Sequence, residues 1–296
     1  MNFSINLLSD IQQIWQYQFL QHAFESGTIV AIIAGIMGYF VVLRRSAFSA
    51  HAFSEIGFAG AAGVVLIGVA PIFGLLLGSM LGALAIAALG RRAANRDTQI
   101  GIVLAFSLGL GLLFIKLYTG GYENEAYSIL FGEILGISST EVLTTLLLGL
   151  VVVGALAAIY RPLLFASLDE DVAEAKGMPM VFLGIAFMLL VAVAVSMSVQ
   201  FVGVLLIFSL MVTPAATAQY LSTRPVRVIM ISVVISVGAM WSGLFVASYT
   251  APPVSFYITT FVFALYLLVR FAHWKIRTRA VKRSNVQGNG PRGVGG

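Results

Sequence analysis

Two residues carry most of the chemistry this sequence can offer. His51 and Glu55 stand four apart in Ser49-Ala-His-Ala-Phe-Ser-Glu-Ile-Gly-Phe-Ala-Gly60, a spacing that puts both on one face of a helix. Continuing that face reaches Ala59 and Ala62, both small. An imidazole nitrogen beside a carboxylate oxygen suits a divalent first-row metal such as zinc or manganese. If two copies of the chain met across a two-fold axis, two His and two Glu would converge and supply four ligands. The other reading of the same spacing is a structural His–Glu hydrogen bond near a helix end, and the spacing leaves both open.

A second group of charges is of a different kind. In Ser167-Leu-Asp-Glu-Asp-Val-Ala-Glu-Ala-Lys-Gly-Met-Pro179, Ser167 and Glu170 have capping-box spacing. Asp169, Glu170 and Asp171 favour a helix N-terminus, Lys176 its C-terminus and Gly177 its stop, with Glu174 between. The pattern predicts a helix of about two turns that is either a capped surface element or a rigid lever for a docking partner. Other polar positions are sparser. Glu123, Glu125 and Glu133 fall in one long loop, 118–140, whose stretch 129–137 is apolar enough to be re-entrant. Gln200, Thr213 and Pro214 fall in or beside apolar runs, and a proline there can leave backbone carbonyls free at a kink.

These groups sit in an apolar chain. It is 59% hydrophobic and 10% charged, with mean hydropathy +0.99, whereas soluble domains carry about 25% charged residues. A soluble fold could not hide so much apolar surface, and a helix bundle in a bilayer can. Glu55 therefore lies within a hydrophobic span, where an ionisable group is costly and marks a pathway or a pair. Nine spans are predicted: 26–43, 52–70, 72–90, 98–117, 141–160, 181–199, 202–221, 226–249 and 254–271. Residues 1–25 read as an N-terminal segment at the membrane interface, 26–271 as the membrane domain, and 272–296 as a basic, disordered cytoplasmic tail. Pro71, Pro162, Pro179, Pro225, Pro252 and Pro253 fall at span edges, and Pro214 alone falls inside one.

Charge sets the sidedness. Arg44 and Arg45 close the first run; Arg91, Arg92 and Arg96 follow the third, Arg161 and Lys176 the fifth, Arg224 and Arg227 the seventh, and Arg270 to Arg283 the ninth. Basic residues gather on the cytoplasmic side, so the N-terminus is placed outside and the C-terminus inside. The net charge of +5 is then a topology signal and does not point to nucleic acid. There is no cysteine, hence no disulfide or thiolate metal site. No Gly-x-x-x-x-Gly-Lys-Ser/Thr phosphate loop occurs, nor His-Glu-x-x-His or Gly-x-Ser-x-Gly, so an enzyme is poorly supported and any ATP hydrolysis belongs to another subunit.

Over about Phe19 to Val269 the sequence resembles the ABC-3 permease family, the membrane subunits of bacterial zinc/manganese ABC importers. The resemblance rests on Phe40-Val-Val-Leu-Arg-Arg45, Asp97-Thr-Gln-Ile-Gly-Ile-Val103, Leu130-Phe-Gly-Glu-Ile-Leu-Gly136, Asp169 to Gly177, Gln200-Phe-Val-Gly-Val-Leu-Leu206, Thr213-Pro-Ala-Ala-Thr-Ala218 and Pro252-Pro-Val-Ser255. It implies an all-α, type II importer-like bundle in the bacterial cytoplasmic (inner) membrane. It also implies a second permease copy, two cytoplasmic ATPase subunits and an extracytoplasmic metal-binding protein. Zinc or manganese would be cargo, with no permanently bound cofactor, and Asp169–Gly177 would be the coupling helix. In the family the second span usually carries an Asp with a His four residues later, both on the metal path. Here those positions are His51 and Glu55, with the nitrogen and oxygen ligands exchanged, and a proline common near position 59 is alanine. Other readings are a self-sufficient secondary metal or proton transporter or channel, and an importer of the same architecture for a metal chelate such as a siderophore.

Overall fold

The computed structural model describes residues 17–88, 96–117, 132, 136–250 and 252–288. Among these the protein is all-helical, with ten α-helices: α1 (Gln18–Leu43), α2 (Ala47–Val65), α3 (Pro71–Ala88), α4 (Arg96–Leu117), α5 (Ser139–Leu168), α6 (Glu170–Ala175), α7 (Met180–Val202), α8 (Val204–Leu221), α9 (Pro225–Ala247) and α10 (Val254–Gly288). Every helix except α6 matches one expected span. By length and composition seven are able to cross a membrane, namely α1, α3, α4, α5, α7, α9 and α10. Of the other two long helices, α2 is made less apolar by His51 and Glu55, and α8 is apolar over Leu206–Leu221. The protein is a multi-pass membrane protein.

Boundaries differ from the sequence reading in instructive ways. Residues 18–25 form the first turns of α1, continuous with the span. α2 begins at Ala47, five residues early, which places His51 inside the helix. α5 runs to Leu168 and carries Pro162 inside it, where an edge was expected. The proline removes one bond to the Ala158 carbonyl, which lies on an exposed part of the helix. α10 continues past residue 271 to Gly288.

Packing is layered around α1 and α7. Most of α1 is buried, α7 is more than half buried, and α4 and α10 are mostly exposed. Their outer faces carry Phe106, Leu112, Phe263 and Leu268, side chains suited to lipid. α1 packs on α5, α7, α8 and α9, while α2 packs on α3, α4, α7 and α8. In lipid no hydrophobic force pulls helices together, so close van der Waals contact must do it. The α2–α3 crossing meets that need with backbone against backbone. A Cβ on Gly60 would collide with the Gly74 carbonyl oxygen and reach 3.1 Å from the Gly78 Cα. Two buried hydroxyls add hydrogen bonds between helices. Ser79 of α3 donates to the Phe53 carbonyl of α2 (2.8 Å), and Ser196 of α7 donates to the Leu75 carbonyl of α3 (3.1 Å).

The two ends of the bundle are tied separately. At one end Arg44 of α1 donates to the Ser167 hydroxyl of α5 (3.0 Å). At the other, Gln200 of α7 donates to Glu141 of α5 (3.1 Å). That same Glu141 closes a capping box with Ser138 at the start of α5. α7 and α8 are separated there by one residue, Gly203, at φ +81°, a conformation that glycine alone adopts freely. The Gly132 backbone lies directly against this junction, so a side chain at 132 would strike the Phe201 carbonyl.

Candidate metal-transit site

α2 is the helix that carries His51 and Glu55. Its sequence is nearly free of bulk between Gly57 and Gly63, apart from Phe58, and that lets α3 approach so closely. The approach fixes the depth at which α2 holds its two ionisable groups. Glu55 is 6% exposed. Its Oε2 is buried and has no hydrogen-bond partner. His51, one turn earlier, is half-buried, and its Nδ1 is likewise buried without a partner. The imidazole stands edge-on to Phe208 of α8, with ring centroids 5.4 Å apart. Its backbone carbonyl accepts from the Ser54 hydroxyl at 2.6 Å.

Unsatisfied polar atoms of this kind are costly. A buried carboxylate oxygen or ring nitrogen without a partner forfeits about 1–3 kcal/mol, and more when charged. Through these two atoms the His–Glu pair is not closed on itself. Both side chains on this helical face thus retain a buried lone pair or N–H for an outside partner. A divalent cation is one such partner, since it accepts both nitrogen and oxygen donors. Within one chain the set stays incomplete: no group of three or more His, Cys, Asp or Glu side chains gathers among the described residues. A four-coordinate ion would need donors from elsewhere. The neighbours Ala59 and Ala62, 5% and 7% exposed, extend the face with methyl groups only.

The other expected site residues fall in three places. Glu123 and Glu125 lie outside the described residues. Gln200 is committed to Glu141, as a tie between α5 and α7. Thr213 and Pro214 sit within α8, which stays helical across the proline and is not unwound. The carbonyl that Pro214 leaves free, that of Leu210, faces α9 and accepts from the Ser236 hydroxyl at 3.4 Å. Thr213 offers its own carbonyl to Thr217 (2.7 Å). The sequence signals the orphan carbonyl through the proline but cannot name Ser236, and nothing in it points to Phe208 as the neighbour of His51.

The acidic loop forms the short helix α6. Asp169 caps it, its Oδ1 accepting from the Val172 N–H at 3.1 Å. The expected box between Ser167 and Glu170 is not made. Ser167 still belongs to the last turn of α5, donates to the Leu163 carbonyl (2.5 Å) and accepts from Arg44. Ala173 is buried against Ala166, Met180 and Leu183, while Glu170, Asp171 and Glu174 are exposed. Lys176 lies with its Nζ 5.0 Å from the Phe165 ring centroid. Gly177 ends the element at φ +72°. The result is an acidic ledge seated on a small apolar footing at the Arg44 end of the bundle.

A family model described as the ABC 3 transport family matches residues 16–273. Among curated relatives, the chain is 32% identical over 222 residues to the manganese transport system membrane protein MntC of Halalkalibacterium halodurans, covering 74% of this chain and 75% of that one. It is 25% identical over 231 residues to the high-affinity zinc uptake system membrane protein ZnuB of Buchnera aphidicola, covering 78% and 88%. Among solved structures it superposes on a chain of PsaBC from Streptococcus pneumoniae in complex with Fab. The TM-score is 0.81 at 27% identity, over 89% of this chain and 95% of that one.

Proposed function

This chain belongs to the ABC 3 transport family, and from that premise we propose that it is the membrane subunit of an ATP-driven importer of divalent metal ions, zinc or manganese. The observation that carries the reading is the pair of buried, unpartnered donor atoms on α2, the Nδ1 of His51 and the Oε2 of Glu55. The relatives include both manganese and zinc systems, and a mixed nitrogen and oxygen donor set accepts either ion.

The mechanism follows from what the chain has and lacks. One copy supplies two donors, so a second copy completes the transit site with its own imidazole and carboxylate. Such a site must bind weakly enough to release the ion. An extracytoplasmic binding protein hands the ion to the outer mouth. The sequence contains no phosphate loop, so partner ATPase subunits dock on the ledge of α6 and drive the bundle between outward-open and inward-open arrangements. The N-terminus then lies outside, and Arg44, α6 and the C-terminus lie on the cytoplasmic side of a bacterial inner membrane.

The test is reconstitution. The chain, purified with its native ATPase partner into proteoliposomes, takes up zinc or manganese when ATP is supplied on the α6 side. Uptake by the chain alone under an ion gradient, with no ATPase bound, would replace this reading with a secondary transporter.

A further inference from the structure

We infer that Arg44 is a positioning residue that transmits movement of α6 to the helix bearing His51 and Glu55; this deepens the reading above and rests on it. The geometry is specific. Arg44 terminates α1, and its guanidinium does two things at once. It donates from Nη1 to Ser167 at 3.0 Å, and it lies over the buried ring of Phe187 on α7, 5.2 Å from the centroid. A planar guanidinium can lie flat on a ring while donating within its own plane, a geometry an ammonium does not reproduce. Ser167 sits two residues before Asp169, whose carboxylate caps α6. Its own proton is committed to the Leu163 carbonyl, so it meets Arg44 as an acceptor. Any displacement of α6 therefore acts on Arg44 through the last turn of α5.

From Arg44 the connection to α2 is short and stiff. The Arg44 carbonyl accepts from the Ser46 hydroxyl (3.2 Å). The Ser46 N–H donates back to Val41 (2.8 Å), and its carbonyl receives Ala50 in the first turn of α2 (3.0 Å). Arg45, exposed and at φ +53°, takes the reversal. His51 follows Ser46 by five residues and Glu55 by nine, all in one helix. α1 and α2 share little packing surface of their own, so their common turn is the joint. Arg44 bridges α1, α5 and α7 at that joint. Its neighbour Arg45 is an exposed charge of the kind that fixes topology, and makes neither of these contacts in place of Arg44.

The experiment uses the complete complex with its ATPase in proteoliposomes and measures metal delivered per ATP hydrolysed. Ser167→Ala removes the acceptor, and Arg44→Lys keeps the charge but loses the planar group. Each lowers the ratio by about fivefold, the equilibrium shift that follows loss of one net hydrogen bond, while ATPase capture and hydrolysis stay near wild type. The double variant falls no further, because both changes remove the same link. Lower melting temperatures with an unchanged ratio would make the contact merely structural and overturn the inference. Should the wild-type complex move no metal on ATP addition, the importer reading itself fails, and the inference with it.

Discussion

Replacing Gly60 by alanine probes the crossing that holds the helix bearing His51 and Glu55 in place. The new methyl would meet the Gly74 carbonyl oxygen and come to 3.1 Å from the Gly78 Cα. Both are backbone atoms of α3, so no side chain can rotate away. Overpacking of this kind costs about 1–3 kcal/mol. Alanine also favours helix over glycine by about 1 kcal/mol, which partly offsets that cost and would blur a single measurement. Gly154→Ala on α5 is the control, since a Cβ there meets nothing within 4 Å and gains only the propensity. The propensity terms cancel between the two variants, so their difference isolates the strain, about 1–3 kcal/mol with Gly60→Ala the less stable. Reversible unfolding in mixed micelles reads it. Metal uptake should fall in Gly60→Ala too, because α2 must shift although neither His51 nor Glu55 is touched. Equal stability, or a more stable Gly60→Ala, would show that the α2–α3 contact does not set the position of His51 and Glu55.

Ser236→Ala should destabilise the protein by about 1 kcal/mol, the worth of one net hydrogen bond, and should cost nothing once Pro214→Ala restores an N–H to the Leu210 carbonyl; the unfolding double-mutant cycle checks this, and additive effects would refute the link. Asp169→Ala removes the cap of α6 and should cost about 1 kcal/mol of local stability, with loss of ATPase stimulation in the assembled complex. Asp171→Ala leaves the cap intact and so reports the charge alone; stimulation unchanged in both would exclude α6 as the docking element. Gln200→Leu should loosen the tie to Glu141, seen as faster amide exchange over the first turn of α5, and wild-type exchange there would mean the capping box suffices.

Much of the bundle was legible because the bilayer imposes long apolar runs. Those runs locate the nine long helices among the described residues, and the capping and charge pattern of 167–177 locates the short acidic one. What escaped was mostly a matter of partners. Pro162 suggests a span edge because proline disrupts a helix interior, yet one lost bond at an exposed carbonyl is tolerated. Ser167 has the spacing of a cap but is claimed by Arg44, more than a hundred residues away in sequence. Pro214 announces an orphan carbonyl, but the donor that satisfies it comes from α9, and no local pattern encodes that. The site shows the same division. A spacing of four marks His51 and Glu55 as one face, while the burial that makes them costly, and therefore informative, depends on how closely α3 approaches α2.

The most direct measurement is radiolabelled zinc and manganese uptake by cells carrying His51→Ala or Glu55→Gln, with surface expression matched to wild type. Each substitution should cut uptake by at least the ~10-fold that even supporting partners of metal ligands are worth, and restoring either side chain should restore it. Wild-type rates for both ions in both variants would mean that the buried donors on α2 serve the fold and that the ion crosses elsewhere.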